Sequence, residues 1–302
     1  MQLFLKKLIN VSILVFLCIL FFSLLSYFIF HKKNKNFLAS YELKVDKLEK
    51  TKGKRRIIVL GGSNVVFSLD SRLLKDSLDI EVINAGLHGG IGLKNEVDLF
   101  YSFIDSSKDI IVISPEFETL FNFSPDFESE EAVYCKSLRP LAFPKVNILL
   151  YFLQRNNPVT YLKEIAVSRD RTIYHKDNFN AFGDISHYPA KRKYTMYLRK
   201  KNKIVFNSRY NDAITYIKSK FSGFNYFVVS PVIHPVWNVN ELMQFDQSMQ
   251  LNFDDRYILQ ATALSPIFNR SDFYNTIYHP NIVGKNIYSN ELLKAIRNAI
   301  SK

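Results

Sequence analysis

Arg56-Ile57-Ile58-Val59-Leu60-Gly61-Gly62-Ser63-Asn64 is the stretch whose reading decides the fold. Its β-branched apolar run has no polar alternation, so it reads as a strand buried on both faces, and the paired glycines permit a sharp turn into a helix. The same rhythm returns at Ile80-Glu81-Val82-Ile83-Asn84-Ala85-Gly86 and at Asp109-Ile110-Ile111-Val112-Ile113-Ser114-Pro115, with a helix-length segment, Leu93 to Ile104, between them. Runs at Tyr226 to Pro231 and Tyr257 to Ala261 extend the series, and Leu292, Leu293, Ile296 and Ile300 mark a final amphipathic helix over Tyr288 to Ile300. Strands alternating with helices predict an α/β domain with a doubly wound parallel sheet of about five strands and right-handed crossovers.

Outward from this core, about Leu120 to Asn207 lacks sheet rhythm and reads as a helical or irregular insertion over the active edge. Glu116 to Glu131 holds six acids and no base, whereas Lys191 to Lys203 holds seven bases and no acid. The net charge is +12, and Lys163 to Lys203 alone, with eleven basic and four acidic residues, supplies +7 of it. With no nucleic-acid motif beside these bases, the insertion suits acidic glycan, phosphate-bearing polymer or lipid headgroups, and no nucleic-acid partner is expected. An apolar content of 47% excludes general disorder.

Toward the N-terminus, residues 1–7 form a short tail and Leu8 to Phe30 carries no charged side chain. At 1.5 Å per residue that run crosses ~30 Å of hydrocarbon. It is longer than a signal-peptide core and lacks a small-x-small cleavage site, so a retained single-pass anchor in membrane lipid is expected. Residues 31–54 are polar and Lys-rich and read as a stalk, which leaves 55–302 as the domain. Taken alone, Lys32, Lys33 and Lys35 after the span favour a cytoplasmic C-terminal domain. Cys18 lies in the apolar run and Cys135 is the only other cysteine, so no intramolecular disulfide is expected outside the membrane.

Loops at the carboxyl ends of the strands line the site of a doubly wound sheet. Ser63 follows the first strand, where a helix N-terminus would aim free N–H groups at an oxyanion, or where the serine would simply cap that helix. Asn84 to Gly92 has four glycines but neither a G-x-G-x-x-G nor a Walker pattern, so no nucleotide or other cofactor, and no metal, is expected. His279, preceded by Asp272 and Asn275, supplies a base and an orienting partner, provided that it pairs with Ser63.

Taken together these blocks resemble the SGNH hydrolases, the GDSL-like esterases and acyltransferases, and in particular their membrane-anchored bacterial branch associated with cell-envelope polysaccharide acylation. The matching pieces are Leu60 to Asn64, Asn84 to Gly86, Ile113 to Glu118, Asn180 to Asp184 and Phe273 to Gly284. The resemblance implies Ser63 as nucleophile, His279 as general base, and the backbone N–H groups of Ser63 and Gly86 in the oxyanion hole. Two positions depart from the pattern. Asn275 stands where relatives carry Asp, leaving Asn275 or Asp272 to orient the imidazole, and Ser114-Pro115-Glu116 replaces a Gly-x-Asn, leaving Asn64, Asn84 or Asn95 as substitute oxyanion donors. The implied function is an extracytoplasmic, membrane-tethered serine esterase or O-acyltransferase working on an envelope glycan through an acyl-Ser63 ester. A membrane-bound O-acyltransferase is an expected partner. The competing expectation is a catalytically degenerate relative that binds glycan or such a partner without chemistry.

Overall fold

The computed structural model describes residues 2–30, 37–138, 175–186, 204, 206–274 and 276–301. The basic run Lys191 to Lys203 and Asn275 lie outside the described residues. Five parallel strands, β1 (Arg56–Gly61), β2 (Glu81–Asn84), β3 (Asp109–Ser114), β4 (Asn225–Val229) and β5 (Tyr257–Leu259), are ordered β2-β1-β3-β4-β5. Every residue of β1 and β3 is buried, as expected for central strands covered on both faces. Ile57 lies in register with Val82 on one side and Ile110 on the other.

α1 (Gln2–Phe30) contains a window, Phe4–Phe22, that is long and apolar enough to cross a membrane, with none of it buried. The stalk expected over residues 31–54 needs correction, because much of that segment belongs to the domain. α2 (Ser40–Lys50) places Tyr41, Val45 and Leu48 at i, i+4 and i+7, and all three are buried. Lys44 is also buried, its Nζ donating to the carbonyls of Asn84 and Gly183 at 2.8 Å each. Burial holds its pKa down at about 7, against the opposing pull of Asp184.

Right-handed crossovers put the helices that follow β1 on one face and those that precede β3, β4 and β5 on the other. α3 (Ser63–Ser68) and α4 (Ser71–Leu78) occupy the first face, where Ser289 of the last helix, α10 (Ile282–Ile300), joins them by donating to Ser68 O and accepting from Asp70 N. On the second face α5 (Leu93–Tyr101) is bound to α8 (Ser208–Lys220), since Tyr216 and Lys220 both donate to Asp98. α6 (Phe117–Phe121) and α7 (Glu130–Leu138) follow β3, and α9 (Val239–Phe253) links β4 to β5.

Because the chain leaves β1 toward β2 and then crosses back to β3, the carboxyl ends of β1 and β3 form the topological switch point, where such sheets bind ligands. Ser63 follows β1 there, and Glu116 follows β3.

Candidate functional site

Gly61 and Gly62 bring the chain out of β1 with no room for a side chain. A Cβ on Gly61 would lie 2.3 Å from the Ser114 carbonyl, and one on Gly62 would lie 2.7 Å from Glu116 Oε1. The turn leaves Ser63 as the first residue of α3, almost fully buried at 7% exposure. Its hydroxyl donates to Glu116 Oε1 at 2.8 Å, and the Asn64 N–H donates to the same oxygen at 3.0 Å. The opposite oxygen, Oε2, rests against Gly89, where a Cβ would intrude to 2.2 Å. Glu116 is thus held by the Ser63 hydroxyl, the Asn64 N–H and two closely approaching glycines at the switch point.

Glu116 is a carboxyl out of water, and burial pushes its pKa up to about 7. The hydrogen bonds from Ser63 and Asn64 oppose that rise, while the charge of Glu118 adds to it. Behind it, Glu96 of α5 is fully buried, and neither carboxylate oxygen has a hydrogen-bond partner among the described residues. Burial first, and then the charge of Glu116, drive the Glu96 pKa well above the carboxylate range.

A group whose folded-state pKa exceeds its unfolded value stabilises the protein fully below the unfolded value and stops doing so above the folded one. For Glu116 that window runs from about pH 4.5 to about pH 7. The stability of wild type relative to Glu116→Gln is therefore expected to fall as pH rises through it. Thermal unfolding of both proteins across that range checks this; a difference constant with pH would contradict it.

His279 is buried, its ring stacked on Phe67 of α3 at 4.0 Å between centroids and 10° from parallel. Burial, with a smaller push from His88, lowers its pKa to about 3, so the imidazole is neutral near pH 7. The proton of Ser63 is directed to Glu116, not to this ring. Asp272, the alternative orienting acid, accepts from Asn269 N at 2.7 Å and closes its own turn. Asn275 lies outside the described residues. Next to the histidine, Tyr278 donates its hydroxyl to Glu118 and accepts from the Phe117 N–H at 3.3 Å, tying the C-terminal loop to the loop after β3.

Of the expected oxyanion donors, the side-chain amides of Asn64, Asn84 and Asn95 and the Gly86 N–H make local hydrogen bonds. Asn64 Nδ2 donates to Ser114 O and Ser114 Oγ, both at 3.0 Å. Asn84 Nδ2 donates to Val65 O and Asp184 Oδ1, and Asn84 Oδ1 takes the Gly86 N–H at 3.0 Å. Asn95 Nδ2 spends its protons on Ile91 O and Phe127 O. The backbone N–H of Asn64 does point into the site, onto Glu116 Oε1.

Asp184, in the matched block Asn180 to Asp184, is fully buried and accepts from Ser71 N and Ser71 Oγ as well as from Asn84. It anchors the 180–185 turn against β2. Gly183 adopts φ +90° in that turn, with a Cβ position 2.5 Å from the Asn84 carbonyl, so both conformation and space require glycine.

Sequence reasoning overlooked Glu116 and Glu96 as parts of the site. The available signal was an acid placed directly after the third apolar run, in a loop that a doubly wound sheet must set beside Ser63. Among the described residues no group of three or more His, Cys, Asp or Glu is arranged to hold a metal ion. Compared with family models, curated proteins and solved structures, the chain finds no match, so its functional reading rests on this geometry.

Proposed function

We propose that the chain is a membrane-tethered serine esterase or O-acyltransferase that passes an acyl group through Ser63 and acts on an envelope glycan outside the cytoplasm. The observation that carries this is the 2.8 Å hydrogen bond from Ser63 Oγ to Glu116 at the switch point between β1 and β3. A serine hydroxyl joined to a proton acceptor, on a glycine turn at a helix start, is the arrangement that nucleophilic catalysis requires. The order Ser63, Gly86, His279, which resembles that of the SGNH hydrolases, points to ester chemistry, and the apolar helix α1 to work at a membrane. In this scheme the acyl group forms an ester on Ser63 and then passes to water or to a glycan hydroxyl.

Purified full-length protein in detergent is expected to release acetate from p-nitrophenyl acetate and from an O-acetylated glycan. Ser63→Ala is expected to lose at least ~10³-fold of that turnover, since removing a nucleophile leaves only binding and oxyanion contributions. Turnover unchanged in Ser63→Ala would reject the proposal. A second reading, a glycan-binding relative without chemistry, is favoured by one observation: the Gly86 N–H and the amides of Asn64, Asn84 and Asn95 are all in structural use. Glycan binding by a protein without turnover would favour that second reading.

A further inference from the structure

A hydroxyl has one proton to give, and that of Ser63 is given to Glu116. The distance, 2.8 Å, is within the reach required of a general base. The same carboxylate oxygen holds the Asn64 N–H, and Gly62 and Gly89 leave its carboxyl room that any side chain would fill. The site is therefore built around this carboxyl.

We propose that Glu116 is a catalytic residue of the Ser63 site, taking the hydroxyl proton directly and, once neutral, releasing the Asn64 N–H to the carbonyl oxygen under attack. This rests on the acyl-transfer reading above, and it gives Glu116 the role that the resemblance assigns to His279.

The Ser63 Oγ–H proton moves to the Glu116 carboxylate while an Oγ electron pair forms the bond to the ester carbonyl carbon. The carbonyl π pair moves onto its oxygen. Charge-assisted hydrogen bonds are about twice as strong as neutral ones, so the neutral carboxylic acid loosens its hold on the Asn64 N–H, which turns to the new oxyanion. Collapse of the intermediate expels the alcohol oxygen, which recovers the proton from Glu116, and acyl-Ser63 and the carboxylate remain. Water or a glycan hydroxyl then repeats the sequence, again giving its proton to Glu116.

The surroundings suit such a base. The groups that face or influence it are Glu96 on α5, Glu118 on α6, Ser63 and Asn64 on α3, and Tyr278 on the C-terminal loop. The charge of Glu118 favours the proton on Glu116, and a base that titrates near the working pH transfers protons most effectively. His279, neutral and buried against Phe67, is costly to protonate.

The test measures the labelling rate of the full-length chain in detergent by a fluorophosphonate, from about pH 5 to about pH 9, for wild type, Glu116→Gln and Glu116→Asp. Wild-type labelling of Ser63 is expected to rise with pH around a midpoint of about 7. Glu116→Gln is expected to be slower by about 10²- to 10⁴-fold and to lack that midpoint, while Glu116→Asp keeps a pH-dependent rate. Labelling of Glu116→Gln at the wild-type rate or faster, or a midpoint near 7 that survives in it, would overturn the proposal. Should Glu116→Gln fail to fold, the wild-type and Glu116→Asp profiles decide: a rate flat across the range overturns this proposal and leaves acyl transfer standing. Absence of labelling in wild type at every pH rejects both.

Discussion

A chain shortened to begin at Arg55 is expected not to fold, whereas one beginning at Phe37 is expected to fold. The difference between them is α2 and its approach, with Tyr41, Val45 and Leu48 buried in the common core. Burying a large apolar side chain stabilises by about 1.5–3 kcal/mol, so these three contribute roughly 5–9 kcal/mol, against a typical total of about 5–15 kcal/mol. Polar ties add to this loss. Tyr41 donates to Leu99 O, Lys44 to Asn84 O and Gly183 O, and Arg56 Nη1 donates to Leu48 O at the end of the helix. Without α2 the Asn84 carbonyl loses its buried donor, so the effect reaches the loop beside Ser63. Circular dichroism and urea unfolding of the two shortened chains provide the check. Cooperative unfolding of the Arg55 chain at the denaturant midpoint of the Phe37 chain would contradict it.

Asp109→Ala is expected to cost about 3–5 kcal/mol, because it leaves a guanidinium unpaired in the core. Arg56 is fully buried at the start of β1, and its Nε donates to Asp109 Oδ1 at 2.8 Å while Nη2 donates to Oδ2. Nη2 also reaches Phe103 O at 3.1 Å, and Asp109 Oδ2 accepts from Asp105 N at 2.8 Å. The pair ties neighbouring strands β1 and β3 at the end opposite the site, so its loss loosens the two strands whose far ends carry Ser63 and Glu116. The double replacement Arg56→Met with Asp109→Leu is expected to recover much of the stability, since removing both charges also removes the unpaired one. Urea unfolding separates the outcomes; a loss below about 1 kcal/mol in Asp109→Ala would show that the pair does not hold the core.

The sheet was legible because central parallel strands are covered on both faces, so Ile57 to Leu60 and Ile110 to Ile113 had to be continuous apolar runs ending at turn residues. A helix around Tyr41 to Leu48 was legible, but its burial was not, because its buried apolar stripe is only three residues on a helix rich in Lys and Glu. Lys44, moreover, is buried by partners at Asn84 and Gly183, far along the chain. Ser63 could be placed from its strand and glycines, whereas its acceptor was signalled only by position, as an acid directly after the third apolar run. Glu116 is 53 residues away, and only the β1–β3 register brings the two loops together. The amides of Asn64 and Asn84 were plausible oxyanion donors by position. Their protons are used instead to hold the loops after β1 and β2, a demand that buried polar groups make and that residue type does not reveal.

Acyl transfer at Ser63 is tested most directly by treating the full-length protein with a fluorophosphonate, digesting it and locating the adduct by mass spectrometry. One adduct is expected, on the peptide that contains Ser63, and it is expected to disappear in Ser63→Ala. No adduct, or an adduct that persists in Ser63→Ala, would contradict it.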